Sequence, residues 1–404
     1  MATTFKFGNG NWAVKEDLAL AYNDENGNFK PLPFDFTRAS TATRVNKDGL
    51  LETMDRGMPR IDFLDNTSGH LLLEPSRTNS FPRSNDFSTW SSNRLDLSSD
   101  NLISPDGSQN ADKVAQQSGF TSAPNINYAG WTAGTYTISI FAKKGTWNYL
   151  APSFNGVSYF NLNTGTIDTE HPNHSASIEY YGNGWYRCVI IATISTTTTA
   201  AFYFAEFNNT LTTTDTQGYM YIYGAQLEEG SYATSYIPTS GATVTRLADD
   251  VDTDYGSKNT LSDEVSVYFN LLPQVSTASN TNKCLSFGFN SSSNANSYAV
   301  LRFNGTNWSS RIQGTTGNNF DNLGISQTTE IKAVMVLTQS GYSIYANGST
   351  SVASGSYGGT APTINSVAFV EILNDTDDRG VYKIKELKVY NTALTEAEAQ
   401  ALTS

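Results

Sequence analysis

Along most of the chain, apolar and polar residues alternate one by one. TYTISIFAKKG, YFNLNTG, SIEYYGNGWYRCVIIATIS, AAFYFAEFNN and YMYIYGAQLEEG all carry this period of two. It puts successive side chains on opposite sides of an extended backbone, so each run predicts a strand with one buried face and one wet face. Turn signals separate the runs at even spacing, which predicts an antiparallel jelly roll over residues 71–248. A second series follows in DEVSVYFNLLP, KCLSFGFN, SYAVLRFNG, WSSRIQG, EIKAVMVLTQSGYSIYANGS, VAFVEIL and VYKIKELKVYN. It predicts a second sandwich over 249–404, entered through the polar, acidic stretch TSGATVTRLADDVDTDYGSKNT. The expected fold class is all-β: two antiparallel β-sandwiches.

Two regions break the pattern. Residues 1–70 carry FGNGN, NDENGN, KPLPFDF and NKDGLL, with little apolar mass between the turns. They predict an irregular attachment arm that packs on the next domain or on a neighbouring subunit. At the other end TEAEAQAL predicts a short helix: Thr395 and Glu398 have capping-box spacing, and Leu394, Ala397, Ala401 and Leu402 are expected to share its buried face. No repeat of 20 to 50 residues is present, which disfavours a solenoid.

Composition sharpens this picture. Charged residues make up 16% of the 404 positions and aromatics 12%, with 22 Tyr and 21 Phe, the usage of pleated sheets rather than helices. The net charge of −13 and the lack of any Lys/Arg cluster exclude a phosphate-tracking surface, so nucleic acid is not an expected partner. No run approaches the roughly 20 apolar residues of a spanning helix, and MATTFKFGNG has neither the basic start nor the apolar stretch of a secretion signal. The expectation is no membrane insertion, synthesis in a reducing cytosol or exit by another route, and Cys188 and Cys284 as buried free thiols.

Candidate chemistry is sparse. Among three histidines, His171 and His174 lie close enough to ligate a metal, with Asp168 and Glu170 nearby; a plain solvated loop is the alternative. The alternating acids of laminarinase-like sandwich hydrolases are missing, since carboxylates collect in turns such as NDENG and DDVDTD. In NDTDDRG, Asn374, Asp375, Asp377 and Asp378 offer hard oxygens for calcium, or form an acidic hairpin turn. Nucleotide-binding glycine motifs are absent. Recognition without catalysis remains, with no cofactor beyond that calcium. Trp131, Trp147, Tyr149, Tyr298 and Trp308 lie in or beside loops and could stack on sugars, with core packing the alternative for each. Trp185 follows an Asn-Gly turn into an apolar strand and is expected in the core.

FTRASTATRVNKDGLLE, PRIDFLD, LLLEPSRTN, SNDFSTW, SPDGSQNADKV, GNGWYRC and GAQLEEGSYATSYIPTSGATVTR occur in this order between about residue 5 and 248. As a set they resemble a family of tailed-phage and prophage virion structural proteins of tail, baseplate or head-fibre type, with a jelly roll like a carbohydrate-binding module. GYSIYANGS and IKELKVYNTALTEAEAQAL are similar to the concanavalin A-like, laminin-G-type lectin sandwich. The resemblance implies a virion surface protein made in the host cytoplasm, with capsid, portal or tail proteins and a host surface glycan as partners, acting as a homo-oligomer with a trimer as first expectation. Two other classes stay open: a purely architectural tail, collar or capsid component, and a polysaccharide depolymerase. Arg38 and Arg44 are expected to dock onto acids of a neighbouring subunit, with pairing inside their own subunit as the alternative.

Overall fold

The computed structural model describes residues 35–252 continuously and, outside that span, 5–8, 13–15, 18–23, 29–31, 264–273, 283–288, 298–304, 307–313, 318–326, 329–357, 366–368 and 382–404. The described chain is all-β, in antiparallel sheets that form sandwiches. None of its helices is long and apolar enough to cross a membrane. It forms two compact units, one of Ala42–Thr53 with Arg77–Arg246, the other of Met1–Thr41, Met54–Ser76 and Leu247–Ser404.

The first unit is the jelly roll. Its strands are β1 (Ser91–Asn93), β2 (Leu95–Ile103), β3 (Gln109–Gln116), β4 (Asn125–Trp131), β5 (Gly134–Lys144), β6 (Tyr149–Ser153), β7 (Tyr159–Asn161), β8 (Thr166–Thr169), β9 (His174–Tyr180), β10 (Trp185–Ile194), β11 (Thr198–Ala205) and β12 (Tyr219–Glu229). They build one six-stranded sheet in the order β2-β3-β12-β5-β10-β9 and another in the order β1-β4-β11-β6-β7-β8. The period of two works as expected. On β11 Ala200, Phe202 and Phe204 point inward and are fully buried, against Ile138, Ile140, Cys188, Ile190 and Ile222 of the facing sheet. Cys188 is a buried free thiol and Trp185 is in the interior, with its Nε1 donating to Ile103 O.

The outer face of the first sheet is partly roofed by the segment that follows β12. Gln226 and Glu228 point outward, yet both are fully buried because SYATSYIPTS lies over them. Ile237 N–H donates to Gln226 Oε1 at 2.6 Å, Thr234 N–H donates to Glu228 Oε2 at 3.0 Å, and Arg187 Nη1 donates to Thr234 O at 2.7 Å. The Tyr236 ring meets Phe141 edge-on at 5.7 Å. Polar residues at buried strand positions are tolerated here because the strap's own backbone satisfies them. The hairpin Ala42–Val45 and Leu51–Met54 turns at the expected Lys-Asp-Gly, where Gly49 has φ 78° and Asn46 Oδ1 accepts the N–H groups of Asp48 and Leu50.

In the second unit an eight-stranded sheet runs Ala353–Gly355, Tyr342–Ala346, Ile331–Leu337, Val265–Pro273, Tyr382–Tyr390, His70–Leu73, Arg60–Asp62, with Phe5–Gly8 also pairing to Tyr382–Tyr390. A five-stranded sheet is formed by Asn318–Ser326, Asn307–Gln313, Tyr298–Asn304, Lys283–Gly288 and Ser366–Ala368. The expected division at residues 1–70, 71–248 and 249–404 is therefore corrected. Phe5–Gly8, Arg60–Asp62 and His70–Leu73 are sheet strands of the C-terminal unit, and Ile61, Leu71 and Leu73 enter its core beside Phe269, Met335 and Leu387. The apparent lack of apolar mass misled because these strands are short and borrow their partners from far along the chain.

The C-terminal helix Glu396–Thr403 has the capping box: Thr395 Oγ1 accepts Glu398 N–H while Glu398 Oε2 accepts Thr395 N–H. Its buried positions are Ala399 and Thr403 with Leu402 packed alongside, whereas Ala397 and Ala401 are exposed. Leu394 is buried too, but it precedes the cap and so does not follow the helical phase.

The docking role expected of Arg38 and Arg44 is corrected as well, because both pair inside their own unit. Arg38 is buried: its Nη1 lies 2.9 Å from Asp249 Oδ1, its Nη2 donates to Asp55 O at 2.7 Å and its Nε to Ser40 O at 2.8 Å. Arg60 completes the cluster, with Nη1 at 2.7 Å from Glu74 Oε2 and Nη2 on Asp249 Oδ2. Two guanidinium groups against two carboxylates leave the buried cluster neutral, and the backbone N–H of Glu74 fills a further acceptor site on Asp249. Arg44 lies 2.9 Å from Glu52 at the surface of the other unit.

Replacing Arg60 by Met removes the cation shared by two buried acids and should cost about 3–5 kcal/mol in denaturant unfolding, whereas Arg44→Ala at its exposed pair should cost under about 1 kcal/mol. Asp112 of β3 tests burial with the opposite sign. Burial, helped by the charges of Asp100 and Asp86, pushes its carboxyl up to about 6. A raised acid contributes stability that is present below the unfolded value near 3.9 and lost as pH rises through about 6. Asp112→Asn keeps an acceptor for Asp100 N–H and should raise the unfolding free energy at pH 8 by about 1–2 kcal/mol, while abolishing that loss.

Candidate functional site

The second sheet of the jelly roll has an outer face that is neither roofed by a strap nor uniformly hydrophilic. On β6 the alternation sends Leu150 into the core and Tyr149, Ala151 and Ser153 outward; on β11 it sends Ala201, Tyr203 and Ala205 outward; on β7, Tyr159 and Asn161. Register sets these side by side, with Tyr203 opposite Ala151, and Tyr149 between Ala205 and Asn161. Ala151, Tyr159 and Ala205 form a buried floor, and Tyr149, Val157, Tyr203 and Leu211 pack around it half-exposed. The small alanines matter, since a larger side chain at either would fill the space between the tyrosine rings.

One end of this shelf is a locked polar group. Tyr149 Oη donates to Asp168 Oδ2 at 2.8 Å, Asn161 Nδ2 donates to the same oxygen at 2.9 Å, and Thr166 Oγ1 donates to Asp168 Oδ1 at 2.7 Å. The turn between β7 and β8 fixes Asn161, whose Oδ1 accepts Asn163 N–H at 3.0 Å. These hydrogen bonds from Thr166, Asn161 and Tyr149 hold the Asp168 carboxyl below its usual range, and burial together with Asp168 pushes the Tyr149 hydroxyl up. The other end carries amides: Asn125 Oδ1 accepts from Asn127 Nδ2 at 3.2 Å and Asn93 Nδ2 at 3.4 Å, and Asn125 stands opposite Tyr203.

A loop forms the rim. Glu206 gathers Thr213 Oγ1 at 3.0 Å, Thr214 N–H at 2.7 Å and Asp215 N–H at 3.0 Å, which folds residues 206–215 on themselves. Asn208 reaches Thr169 of β8 at 2.9 Å, and Leu211 O accepts Ala123 N–H at 2.7 Å. The loop thereby carries Leu211 onto the alanine floor and leaves Phe207 exposed.

Of the aromatic residues expected to read sugars, Tyr149 is in this shelf. Trp131 is half-buried at the sandwich edge, 5.7 Å from Phe81 and 6.4 Å from Tyr136, with Nε1 donating to Tyr128 O. Trp147 and Trp308 are corrected: both are fully buried in the two cores and present no face to a ligand. Trp147 lies against Gly218, where an added Cβ would stand 1.9 Å from the indole. Tyr298 starts the Tyr298–Asn304 strand, but its side chain lies outside the described residues, as do Asn374, Asp375, Asp377 and Asp378. His171 and His174 hold no metal cluster among the described residues. His174 is buried instead, with Nε2–H donating to Phe154 O at 3.0 Å and Nδ1 accepting from Ser158 Oγ at 2.7 Å, and burial lowers its pKa. Tyr159, Tyr203, Asn125 and Asn161 were not singled out from sequence, and Asp168 only as a neighbour of the histidine pair; for Tyr159, Asn161 and Tyr203 the available signal was parity, opposite to the core residues of YFNLNTG and AAFYFAEF.

No family model matches the chain, and no curated protein sequence matches it. Solved structures similar to it include the CBM40 module of the Ruminococcus gnavus IT-sialidase bound to α2,3-sialyllactose, at 12% identity and a TM-score of 0.31, covering 38% of this chain and 93% of that one. Domain 4 of AbnA, an extracellular GH43 arabinanase of Geobacillus stearothermophilus in complex with arabinotriose, is similar at 19% identity and a TM-score of 0.32, covering 44% and 83%. Trypanosoma rangeli sialidase is similar at 10% identity and a TM-score of 0.31, over 98% of both chains.

Asp168→Asn should bring the Tyr149 titration down toward the ordinary tyrosine value near 10, read from tyrosinate absorbance against a Tyr149→Phe reference. An unmoved titration would mean that the Tyr149–Asp168 hydrogen bond is not formed in solution.

Proposed function

We propose that the protein recognises a glycan through the outer face of the second jelly-roll sheet, without catalysis, as a surface component of a phage virion. The observation that carries this reading is the shelf itself: half-exposed tyrosine rings around an alanine floor, closed at one end by the carboxylate of Asp168 and at the other by Asn125 and Asn127. Aromatic faces take the C–H side of a sugar ring, while amides and a carboxylate read its hydroxyls. Asp168 is poorly suited to general-acid work, because its hydrogen bonds favour the ionised form. Glu206 is occupied in folding its own loop. The ordered motif set between about residue 5 and 248 supports the virion assignment and location. A single shallow site binds weakly, so adhesion in this reading depends on several copies, for which tethering gains a factor of about 10² to 10⁴.

A glycan array probed with the full chain tests the reading. Tyr149→Ala with Tyr203→Ala should weaken the best hits roughly tenfold or more while leaving the fold intact by circular dichroism. An array without hits would favour the architectural alternative, and a reducing end released from host capsule would favour the depolymerase.

A further inference from the structure

We propose that the open end of the first sheet's outer face is a second binding surface, for an anionic saccharide. The strap covers this face near Gln226 and Glu228 and leaves the far end of β12 uncovered. There Lys113 of β3 stands opposite Tyr221, and Tyr221 stands opposite Lys143 of β5, so one tyrosine lies directly between two lysines on neighbouring strands. Each lysine is one strand spacing from Tyr221, so the two stand about 10 Å apart with the tyrosine between them, a separation that suits successive acid groups of one oligosaccharide.

The surrounding geometry makes the patch rigid. The Lys113 ammonium sits 4.1 Å from the ring centroid of Tyr219, and the Tyr219 and Tyr221 rings meet at 5.6 Å and 80°. Gly145 permits this: a Cβ there would stand 2.4 Å from the Tyr219 ring, so the ring lies flat on bare backbone. The alkyl chain of Lys143 runs past Gly184, where an added Cβ would be 3.4 Å from Cε. Neither lysine has a carboxylate partner among the described residues. Two acids border the patch: Asp96 sits opposite Ala115 toward the Tyr219 end, and Asp106 accepts from Tyr223 Oη at 2.9 Å at the next outward position of β12.

In a chain of net charge −13, two unneutralised cations flanking an aromatic pair are a local exception. A long polyanion would be repelled by the remainder of the surface, whereas a short saccharide carrying one carboxylate or sulfate per residue meets only the patch. Acid groups on successive residues would each meet one ammonium, with the C–H faces against the tyrosine rings between them. The surface uses no residue of the tyrosine shelf, so it stands or falls separately from that reading.

The test is calorimetric titration of the full chain with an oligogalacturonate, its methyl-esterified counterpart and a sulfated glucan oligosaccharide. The acid oligosaccharide, the sulfated one, or both should bind and the ester should not. Lys113→Gln with Lys143→Gln should weaken binding roughly fivefold or more at low salt, the Lys→Arg pair should retain it, and Tyr149→Ala should leave it unchanged. Which of the two anions binds tighter identifies the acid group. Equal binding of the ester, unchanged binding by the double Gln variant, loss with Tyr149→Ala alone, or no binding of either anion by the unaltered chain would each overturn the proposal.

Discussion

A β-strand has two faces, and burying one leaves the other to be dealt with. That constraint organises this molecule, because nearly all of its apolar mass is carried by strands whose alternate residues point the wrong way for the core. Two solutions are visible. The outer face of the first jelly-roll sheet is roofed by the strap after Gly230, which satisfies Gln226, Glu228 and Arg187 with its own backbone. In the C-terminal unit the helix Glu396–Thr403 covers Tyr268, Val334, Val336 and Tyr345. The second jelly-roll sheet is the exception, where Tyr149 and Tyr203 stand half-open over a floor of buried alanines.

Buried charge follows the same economy. Arg38 and Arg60 are surrounded by Asp249, Glu74 and backbone carbonyls, so the interior of the C-terminal unit holds a neutral ionic knot contributed by three distant stretches of chain. Such clusters contribute little net stability compared with apolar packing, but removing one member is costly. The knot therefore ties the stretches around residues 38, 60–74 and 249 into a single unit more through the penalty for mispairing than through attraction.

The strands themselves were legible because period two holds along the long runs, although in β12 it changes phase at Gly224 (φ 60°), between Ile222 and Ala225 of the core; so were the terminal helix cap, the Lys-Asp-Gly turn and the interior position of Trp185. What could not be read was partnership across distance. Leu71 and Leu73 pair with a strand more than 300 residues away, and nothing local distinguishes that from an arm. The same limit misassigned Arg38, whose partner Asp249 is 211 positions distant. For the site, loop position was the wrong criterion. Trp147 and Trp308 lie near turns and are still fully buried, since a large ring at a sandwich edge gains most by folding inward. Parity was the better guide, because Tyr149, Tyr159 and Tyr203 sit at outward positions where a solvated sheet would carry Thr, Lys or Glu.

In the proposed glycan-binding reading, the hydrogen bonds of this face also bear on acid–base chemistry. A hydrolytic pair needs two carboxyls with distinct protonation states facing a common substrate. Here Asp168 is held ionised by three donors, and Glu206 accepts from the residues of its own loop. Relaxing Asp168 enough to carry a proton would mean giving up the donors that orient Tyr149 and Asn161. The interactions that would pre-form the shelf for the proposed binding are therefore the ones that disfavour acid–base chemistry on it.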